Sequence, residues 1–456
     1  MSKTITVKKG LSLKLKGEAE KAFVQLEKKS DLFAIVPEDF TGVTPRLSVK
    51  VGDSVQAGDP LFYHKKFPEV KFVSPVSGEV TAIERGAKRK ILSIQVRPTQ
   101  DATSPTAKKF APLDVDSASS QAIKEYILTS GLWGFIRQRP YDIIAEPNAL
   151  PRDIFVTAYF TAPLAPDFSF ILEQGNNLQY LKTALKALRK LTAGKLYLSV
   201  KEPLNTMIEG VEECIAKGPH PAGTVGFLIN ATKPINKGDI VWTLKATDLL
   251  VMGKLMETGI ADYSRTVALT GSEATQRGYT TIVPGCLLQE EIATTIPASP
   301  KRHLRLINGD VYTGKKIDEQ RPFASWDIDQ TTLIPEGDET NEFLGWIAPR
   351  LNQFSISKTY FSWLFPKKRY SLDARLKGGE RHMIMSGEFE KVFPLNIMPE
   401  ALLKATIAFN VDKMEALGIY EVAPEDFALC EFVDSSKQPL QQIIRQGLDM
   451  LYKEMN

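Results

Sequence analysis

The sequence predicts a multidomain α+β protein in the order barrel-sandwich hybrid, Rossmann-like α/β domain, small β-grasp domain and helical C-terminal region. Three observations support this fold class. The chain has 456 residues, enough for about three or four domains that each bury a core. Glycines separate short alternating strands near the N-terminus. Further along, a strand, a helix and a strand follow one another, which is typical of a parallel α/β unit.

Residues 1–100 form the predicted barrel-sandwich hybrid, which is of the biotinyl and lipoyl type. Apolar and polar residues alternate in VKVGDSVQAGDPLF (Val49 to Phe62) and in KFVSPVSGEVTAIERGAKRKIL (Lys71 to Leu92). Carrier domains of this type attach a prosthetic group to a lysine at a hairpin tip. The tip here has Lys65 and Lys66 but lacks the Met-Lys-Met pattern. We therefore expect solvated lysines there and no attached group.

Residues 118–262 form the predicted Rossmann-like domain, after a linker from Pro98 to Ala118. Its expected elements are listed in chain order: a helix over 121–139, strands over 153–158 and 195–200, a helix with leucines from 178 to 191, and strands over 224–229 and 240–244. The turn after the first strand carries Pro163 and Pro166 where a nucleotide-binding turn has glycines. Proline lacks the amide that would hold a phosphate, so we expect no flavin or NADH in the usual pose.

The third and fourth domains are predicted over residues 263–330 and 331–456. Two strands, over 266–271 and 280–286, and a short helix from Leu287 indicate a small β-grasp domain. The rest of the chain is expected to be helical and irregular, and it ends in an amphipathic helix over 440–455.

Composition excludes several classes of function. The net charge is only +3 and no long basic block occurs, so nucleic acid is not an expected partner. No stretch approaches the roughly 20 apolar residues of a membrane span, and no signal sequence precedes the first strand. Cys214, Cys286 and Cys430 are far apart, too few for an iron–sulfur cluster. The histidines show no metal-ligand spacing, so we expect no metal site.

Strings spread over almost the whole chain make the sequence resemble one family. They are VKKGLSLKLKG, SGLWGFIRQRP, KGPHPAGTVG, FLGW (Phe343 to Trp346), EKVFPLNIMPE (Glu390 to Glu400) and LGIYEVAPEDFALCEFV (Leu417 to Val433). With the domain order, they identify the chain as a member of the A-subunit family of bacterial sodium-translocating NADH:quinone reductases. That family is similar to the C subunit of Rnf complexes and to the flavin-binding subunit of complex I.

The resemblance implies a peripheral subunit of a respiratory-chain complex that couples electron transfer from NADH to a quinone, such as ubiquinone, with sodium transport. It implies an SLBB-like third domain, a scaffolding role beside a membrane-embedded subunit, and a place on the cytoplasmic face of the bacterial inner membrane. NADH, flavins and iron–sulfur centres would belong to partner subunits. The proline-bearing turn and the lone Cys430 depart from the cofactor motifs of the relatives. We therefore expect no flavin or cluster here, and no catalytic activity of the isolated chain.

Candidate contacts with a quinone or a partner come from three strings. Trp133 and Phe135 offer an aromatic wall and Arg137 a donor to a carbonyl oxygen, although an amphipathic helix end packed into the domain is the alternative. Phe40 and Gly42 lie in a loop that could equally be a surface turn. His220 lies between two prolines and could donate a proton if exposed, or form a rigid turn in a domain interface. No catalytic residue is assigned.

An aromatic-basic run from Tyr360 to Tyr370 has the composition of membrane interfaces and of partner docking sites. Partner docking fits the family better, and a core helix with a solvated basic end is the alternative. Two other functions compete with a role in the complex. A stand-alone flavin- or NADH-dependent oxidoreductase conflicts with the missing glycine loop, and a carrier protein conflicts with the missing lysine motif.

Overall fold

The computed structural model describes residues 3–99, 107–339 and 350–455. Two small antiparallel sheets share one apolar core in the N-terminal domain. The strands of the first sheet, in spatial order, are β2 (Phe33–Ile35), β8 (Ile91–Pro98), β7 (Gly78–Arg85) and β4 (Ser54–Val55). Those of the second are β3 (Pro45–Leu47), β5 (Pro60–His64) and β6 (Lys71–Val73). Phe62 and Phe72 stack at 4.6 Å between ring centroids and fill this core.

A seven-stranded sheet forms the second domain. Its strands, in spatial order, are β1 (Lys3–Thr6), β13 (Val211–Lys217), β12 (Leu196–Val200), β11 (Asp153–Thr157), β14 (Val241–Lys245), β9 (Arg137–Arg139) and β10 (Ile143–Ile144). The first five run parallel to one another, β9 is antiparallel to β14, and β10 is antiparallel to β9. Strand β1, predicted within residues 1–100, therefore pairs with the sheet of the α/β domain rather than with the barrel-sandwich sheets.

Five helices accompany this sheet in the described residues. They are α1 (Ser120–Thr129), α2 (Phe168–Leu172), α3 (Asn177–Arg189), α4 (Val225–Thr232) and α5 (Ala246–Thr258). The leucine spacing that predicted α3 is confirmed, because Leu181, Leu185 and Leu188 are fully buried.

Two predicted elements of the α/β domain were wrong. The helix expected over 121–139 ends at Thr129, since Gly131 adopts a left-handed φ of 73°, and residues 137–139 form strand β9. The strand expected over 224–229 is the start of α4. A short apolar run does not distinguish a buried helix from a buried strand, and the prolines before Thr224 set up a helix start instead.

The third domain is a mixed five-stranded sheet. Its strands, in spatial order, are β16 (Gly278–Ile282), β15 (Arg265–Thr270), β19 (Gln330–Pro335), β17 (Leu304–Asn308) and β18 (Lys315–Lys316), with the short helix α6 (Leu288–Glu291). Strands β15 and β19 are parallel neighbours at the centre of the sheet, and the other pairs are antiparallel.

The described part of the C-terminal region is irregular from residue 350 to 388, apart from one 3₁₀ turn, and helical after that. Its helices are α7 (Phe389–Val392), α8 (Pro399–Ile407), α9 (Val411–Ala416), α10 (Ala428–Val433) and α11 (Leu440–Met455). The predicted amphipathic helix is confirmed, with Ile444, Leu448 and Leu451 fully buried. The string FLGW lies outside the described residues.

A close approach between α3 and α5 provides a test of this packing. A Cβ atom on Gly253 of α5 would lie 1.9 Å from the carbonyl oxygen of Tyr180 in α3. We expect Gly253→Val to lower the free energy of unfolding by about 2–3 kcal/mol, because overpacking forces the helices apart. Gly379→Ala is the control, since nothing lies within 4 Å of its Cβ position. Denaturant unfolding followed by circular dichroism would measure both variants, and equal stabilities would contradict the packing.

Candidate functional site

A cleft of about 470 Å³ lies where the four parts of the chain meet. The barrel-sandwich domain contributes residues 38–41. The α/β domain contributes the ends of β11 and β14, and the SLBB-like sheet contributes residues 308–315 and 325–330. The C-terminal region closes one side with Glu425, Gln441 and Arg445. A site built from every domain has a geometry that depends on how the domains pack.

The floor of the cleft is the carboxyl edge of the parallel strands. The chain crosses from β11 to β12 on one side and later to β14 on the other, so the strand order reverses at β11. Ligands of open α/β sheets bind in the crevice outside the carboxyl ends at such a reversal. Thr157 and Lys245 stand at the two strand ends and line the cleft.

One wall of the cleft is aromatic. The rings of Phe135 and Trp326 stack with centroids 5.7 Å apart and planes at 23°, and the ring of Phe40 lies 6.0 Å from Trp326. Phe40 is held in turn by Phe72, at 4.3 Å. The indole nitrogen of Trp326 is buried and has no hydrogen-bond partner among the described residues. The wall thus offers flat apolar surface and one uncompensated donor.

Opposite charges alternate at the base of this wall. Lys245 Nζ lies 3.2 Å from Asp327 Oδ2 and 3.0 Å from Asp329 Oδ2. Burial disfavours the charged lysine, but the two carboxylates outweigh burial and raise the pKa of Lys245 above its ordinary value. The lysine therefore stays charged at neutral pH and joins β14 to the SLBB-like domain.

Arg265 extends this cluster into the protein interior. Its Nη2 atom lies 2.8 Å from Asp329 Oδ1 and 2.8 Å from Asp248 Oδ1, and its side chain is 2% exposed. Its Nε donates to the carbonyl of Ile328. Arg265 begins β15 and Asp248 lies in the first turn of α5, so the arginine connects the two sheets.

Carboxylates of the protein lie against the first turns of two helices near the cleft. Asp167 caps α2 directly after the turn that follows β11, and its Oδ1 accepts from the amides of Ser169 and Phe170. Asp426 packs against Gly226 in α4, where a Cβ would lie 2.0 Å from Asp426 Oδ1. Phosphates bind at such helix starts in nucleotide-binding folds, and here side chains of the protein take that place.

The structure brings four of the predicted contact residues to the cleft, namely Phe40, Phe135, Arg137 and His220. Trp133 and Gly42 do not line it. The indole of Trp133 is fully buried behind the wall and donates to the carbonyl of Ala145 at 2.7 Å. Gly42, with a φ of 84°, packs against Ile143.

His220 is buried, so the condition for proton donation, exposure to water, is not met. Thr161 Oγ1 accepts from the amide of Gly223 at 2.9 Å and lies 3.1 Å from His220 Nδ1. The two side chains share a hydrogen bond whose direction is set by the tautomer of the imidazole. Burial lowers the pKa of His220 to about 4, so the imidazole is neutral at physiological pH.

Sequence reasoning missed Trp326, Lys245 and the two aspartates beside them. The string SWDIDQ (Ser325 to Gln330) held a usable signal. It places two acidic residues at alternate positions immediately before a buried strand, where an unpaired carboxylate would be costly. Such residues require cationic partners, and Lys245 at the end of β14 is one.

The predicted hairpin tip is in contact with the C-terminal helix. Lys66 Nζ lies 3.3 Å from Glu146 Oε1 and 3.4 Å from the hydroxyl of Tyr452 in α11.

Within the described ranges, no group of three or more His, Cys, Asp or Glu side chains is placed to hold a metal ion. Searched over the same residues, none of the helices combines the length and apolarity needed to cross a membrane.

Comparisons with known proteins match three consecutive parts of the chain to family models. Residues 5–99 match the NqrA N-terminal barrel-sandwich hybrid domain, residues 118–261 the NqrA second alpha/beta domain, and residues 266–319 the NQRA C-terminal domain.

Whole-length relatives are named as the A subunit of the Na(+)-translocating NADH-quinone reductase. The protein from Pasteurella multocida is 34% identical over 456 residues, covering 99% of this chain and 100% of the relative. The protein from Tolumonas auensis is 34% identical over 454 residues, with the same coverage, and that from Rhodopirellula baltica is 32% identical over 458 residues, covering 98% of each chain. The predicted family is confirmed.

Arg265 gives a stability test of the cluster. We expect Arg265→Met to lower the free energy of unfolding by about 3–5 kcal/mol, because Asp248 would remain buried without its ion-pair partner and Asp329 would keep only Lys245. Lys195→Met is the control, since it breaks an exposed pair with Glu212 and should change the free energy of unfolding far less. Urea unfolding would measure the difference, and similar losses would argue against a structural role for the cluster.

His220 gives a pH test. Its folded pKa, about 4, lies below the unfolded value near 6.5, so the unfolded chain binds the proton first as pH falls. The wild type should therefore lose up to about 3 kcal/mol more stability than His220→Gln between pH 6.5 and 4. His303→Gln is the control, because hydrogen bonding to Asp338 raises the pKa of that exposed histidine. Parallel pH–stability curves for wild type and His220→Gln would contradict the burial.

Proposed function

Because the chain belongs to the A-subunit family of Na⁺-translocating NADH-quinone reductases, we propose that it is the peripheral subunit that scaffolds this complex on the cytoplasmic face of the membrane. We also propose that its cleft contributes to quinone binding. Electrons would come from NADH through flavin and iron–sulfur centres on partner subunits. The isolated chain would then lack catalytic activity.

The observation that supports a quinone site is the pairing of the aromatic wall with a guanidinium in one cleft. A quinone head group is a flat ring with two carbonyl oxygens. Phe135 and Trp326 stack on each other and are 4% and 5% exposed, so the parts of their rings that line the cleft would contact the flat face, and Arg137 lines the same cleft. Arg137 keeps its proton at all physiological pH values, so it would orient a carbonyl oxygen by hydrogen bonding and would not supply the proton.

Two features support the absence of a flavin or nucleotide in the usual pose. The carboxylate of Asp167 accepts hydrogen bonds from the amides at the start of α2. Pro163 and Pro166 in the preceding turn have no amide N–H to donate to a phosphate. A phosphate brought there would meet a carboxylate instead of free amides, which is electrostatically unfavourable. A stand-alone flavin- or NADH-dependent oxidoreductase, the alternative function, is disfavoured for this reason.

The three cysteines support placing iron–sulfur centres on partners. Cys214, Cys286 and Cys430 lie in β13, before α6 and in α10, and all three are buried. Burial raises the pKa of each thiol above its ordinary value. Thiolates are the cluster ligands, and isolated buried thiols in three separate domains do not provide a set of four.

Copurification tests the proposed place in the complex. A tagged chain should be recovered from native membranes, solubilised in mild detergent, together with flavin-bearing partners and sodium-stimulated NADH:quinone reductase activity. The purified chain alone should show no flavin absorption. A solitary chain without partners, or one with its own flavin band, would favour the stand-alone oxidoreductase.

Arg137→Ala in the intact complex tests the quinone site. We expect the KM for quinone to rise about tenfold, equivalent to about 1.4 kcal/mol of binding, with a smaller change in kcat. Phe135→Leu should raise the KM by a smaller factor because it keeps apolar volume while removing the flat ring. Arg302→Ala, an exposed arginine paired with Glu273, is the control. An unchanged KM in both cleft variants would contradict quinone binding here and leave the scaffolding role intact.

A further inference from the structure

Residues 350–372, hereafter the aromatic-basic segment, present large apolar side chains to solvent. Phe361 is 43% exposed, Trp363 53%, Leu364 52% and Phe365 44%. They lie in and beside a 3₁₀ turn, Phe361–Leu364. The alternative of a core helix for this run is therefore wrong, because these rings do not enter the core. A contiguous exposed apolar patch of this kind marks an interaction surface.

The charge around these rings has one sign. The sequence from Phe343 to Leu372 contains no aspartate or glutamate. Its described part carries five cationic side chains, namely Arg350, Lys358, Lys367, Lys368 and Arg369. Arg369 forms an ion pair with Glu18 at 2.6 Å, so the N-terminal segment offsets one charge. With a net charge of only +3 for the whole chain, this excess of positive charge is local.

Two lysines lie over the aromatic rings themselves. Lys358 Nζ is 5.9 Å from the ring centre of Trp363, and Lys368 Nζ is 5.9 Å from that of Phe365. Cationic heads next to half-exposed rings resemble the amphipathic arrangement of lipid–water interfaces, where the ring enters the apolar boundary and the ammonium group remains among the lipid phosphates.

Hydrogen bonds hold the backbone of the patch, two of them within the segment and one from Lys14 near the N-terminus. Lys368 Nζ donates to the carbonyl of Leu351 at 2.7 Å, and Lys14 Nζ donates to that of Pro366 at 3.1 Å. Ser362 Oγ donates to the carbonyl of Ser355 at 3.0 Å. The backbone is thus held while the rings remain outside, so little ordering is needed before they meet a surface.

We propose that the aromatic-basic segment inserts its rings into the headgroup region of an anionic lipid bilayer. A lipid surface fits better than a protein partner on two grounds. Lys358, Lys367 and Lys368 complement anionic headgroups, each nearby cationic side chain adding to the attraction. The exposed rings lie in and beside a 3₁₀ turn of four residues, which is not a strand edge to which a peptide could add. This surface is distinct from the cleft, and its proposal stands independently of quinone binding.

Vesicle flotation with the purified full-length chain tests the proposal. Binding to phosphatidylcholine vesicles containing about one quarter phosphatidylglycerol should exceed binding to pure phosphatidylcholine vesicles by at least about tenfold, and should weaken as salt is added. A variant carrying Phe361→Ser, Trp363→Ser and Phe365→Ser should lose most of this binding. The control carries Leu92→Ser, Leu150→Ser and Met207→Ser, which replace exposed apolar residues elsewhere and should leave binding unchanged. Circular dichroism would verify that both variants fold.

Quenching by brominated lipid gives a second measurement that depends on depth. Wild-type fluorescence should be quenched by anionic brominated vesicles, and Trp363→Phe should lose most of that quenching while still binding. Equal binding to neutral and anionic vesicles, or equal losses in the two triple variants, would overturn the proposal. A third result would also overturn it. If the chain did not bind vesicles, and the variant at Phe361, Trp363 and Phe365 failed to copurify with the complex, the segment would dock on a protein instead.

Discussion

The carboxylate of Asp329 lies between Lys245 and Arg265, and the arrangement of the cleft depends on this interaction. Lys245 ends β14 and Arg265 begins β15, so one aspartate ties the α/β sheet to the SLBB-like sheet. Trp326 lies in the same loop as Asp329, just before β19, and its ring stacks on that of Phe135. Removing either cation would leave carboxylates in a poorly hydrated place, which is far more costly than losing an exposed pair. The aromatic wall is therefore positioned by electrostatics as well as by packing.

Two carboxylates of the protein lie against the first turns of helices beside the cleft. Asp167 accepts the amides at the start of α2, and Asp426 lies against Gly226 in the first turn of α4. Arg139 Nη1 lies 3.0 Å from Asp426 Oδ2 and balances the charge of that carboxylate. At the start of α2 the amides to which a phosphate binds in nucleotide-binding folds are therefore already hydrogen-bonded to Asp167, while the aromatic and cationic side chains still line the cleft.

The order of the domains could be predicted from patterns of neighbouring residues. Contacts between residues far apart in the sequence could not be predicted from such patterns. Alternating strands and the leucine spacing of α3 gave the fold class, because each depends on neighbours in sequence. The pairing of Lys3–Thr6 with Val211–Lys217 could not be foreseen, since a single strand carries no signal for its partner. Phe135 and Arg137 were identified together because they are adjacent in sequence. Trp326 was missed because only folding brings it to Phe135.

The C-terminal region also sets the geometry of the cleft, through Arg139 and Arg445. Arg139 is fully buried and donates to the carbonyl of Glu421 and to Asp426. From α11, Arg445 donates to the carbonyls of Tyr141 and Asp142 in the following turn. Arg137 lies two residues before Arg139 on the same strand, so the two side chains point to the same face of the sheet. The contacts of Arg139 with the C-terminal region therefore also support the strand at Arg137. Freeing the region would leave the buried guanidinium of Arg139 without its carboxylate partner, a cost of about 3–5 kcal/mol. The guanidinium of Arg137 lies 3.7 Å from the carboxylate of Asp142, whose carbonyl accepts from Arg445, so the C-terminal helix supports the turn that faces Arg137.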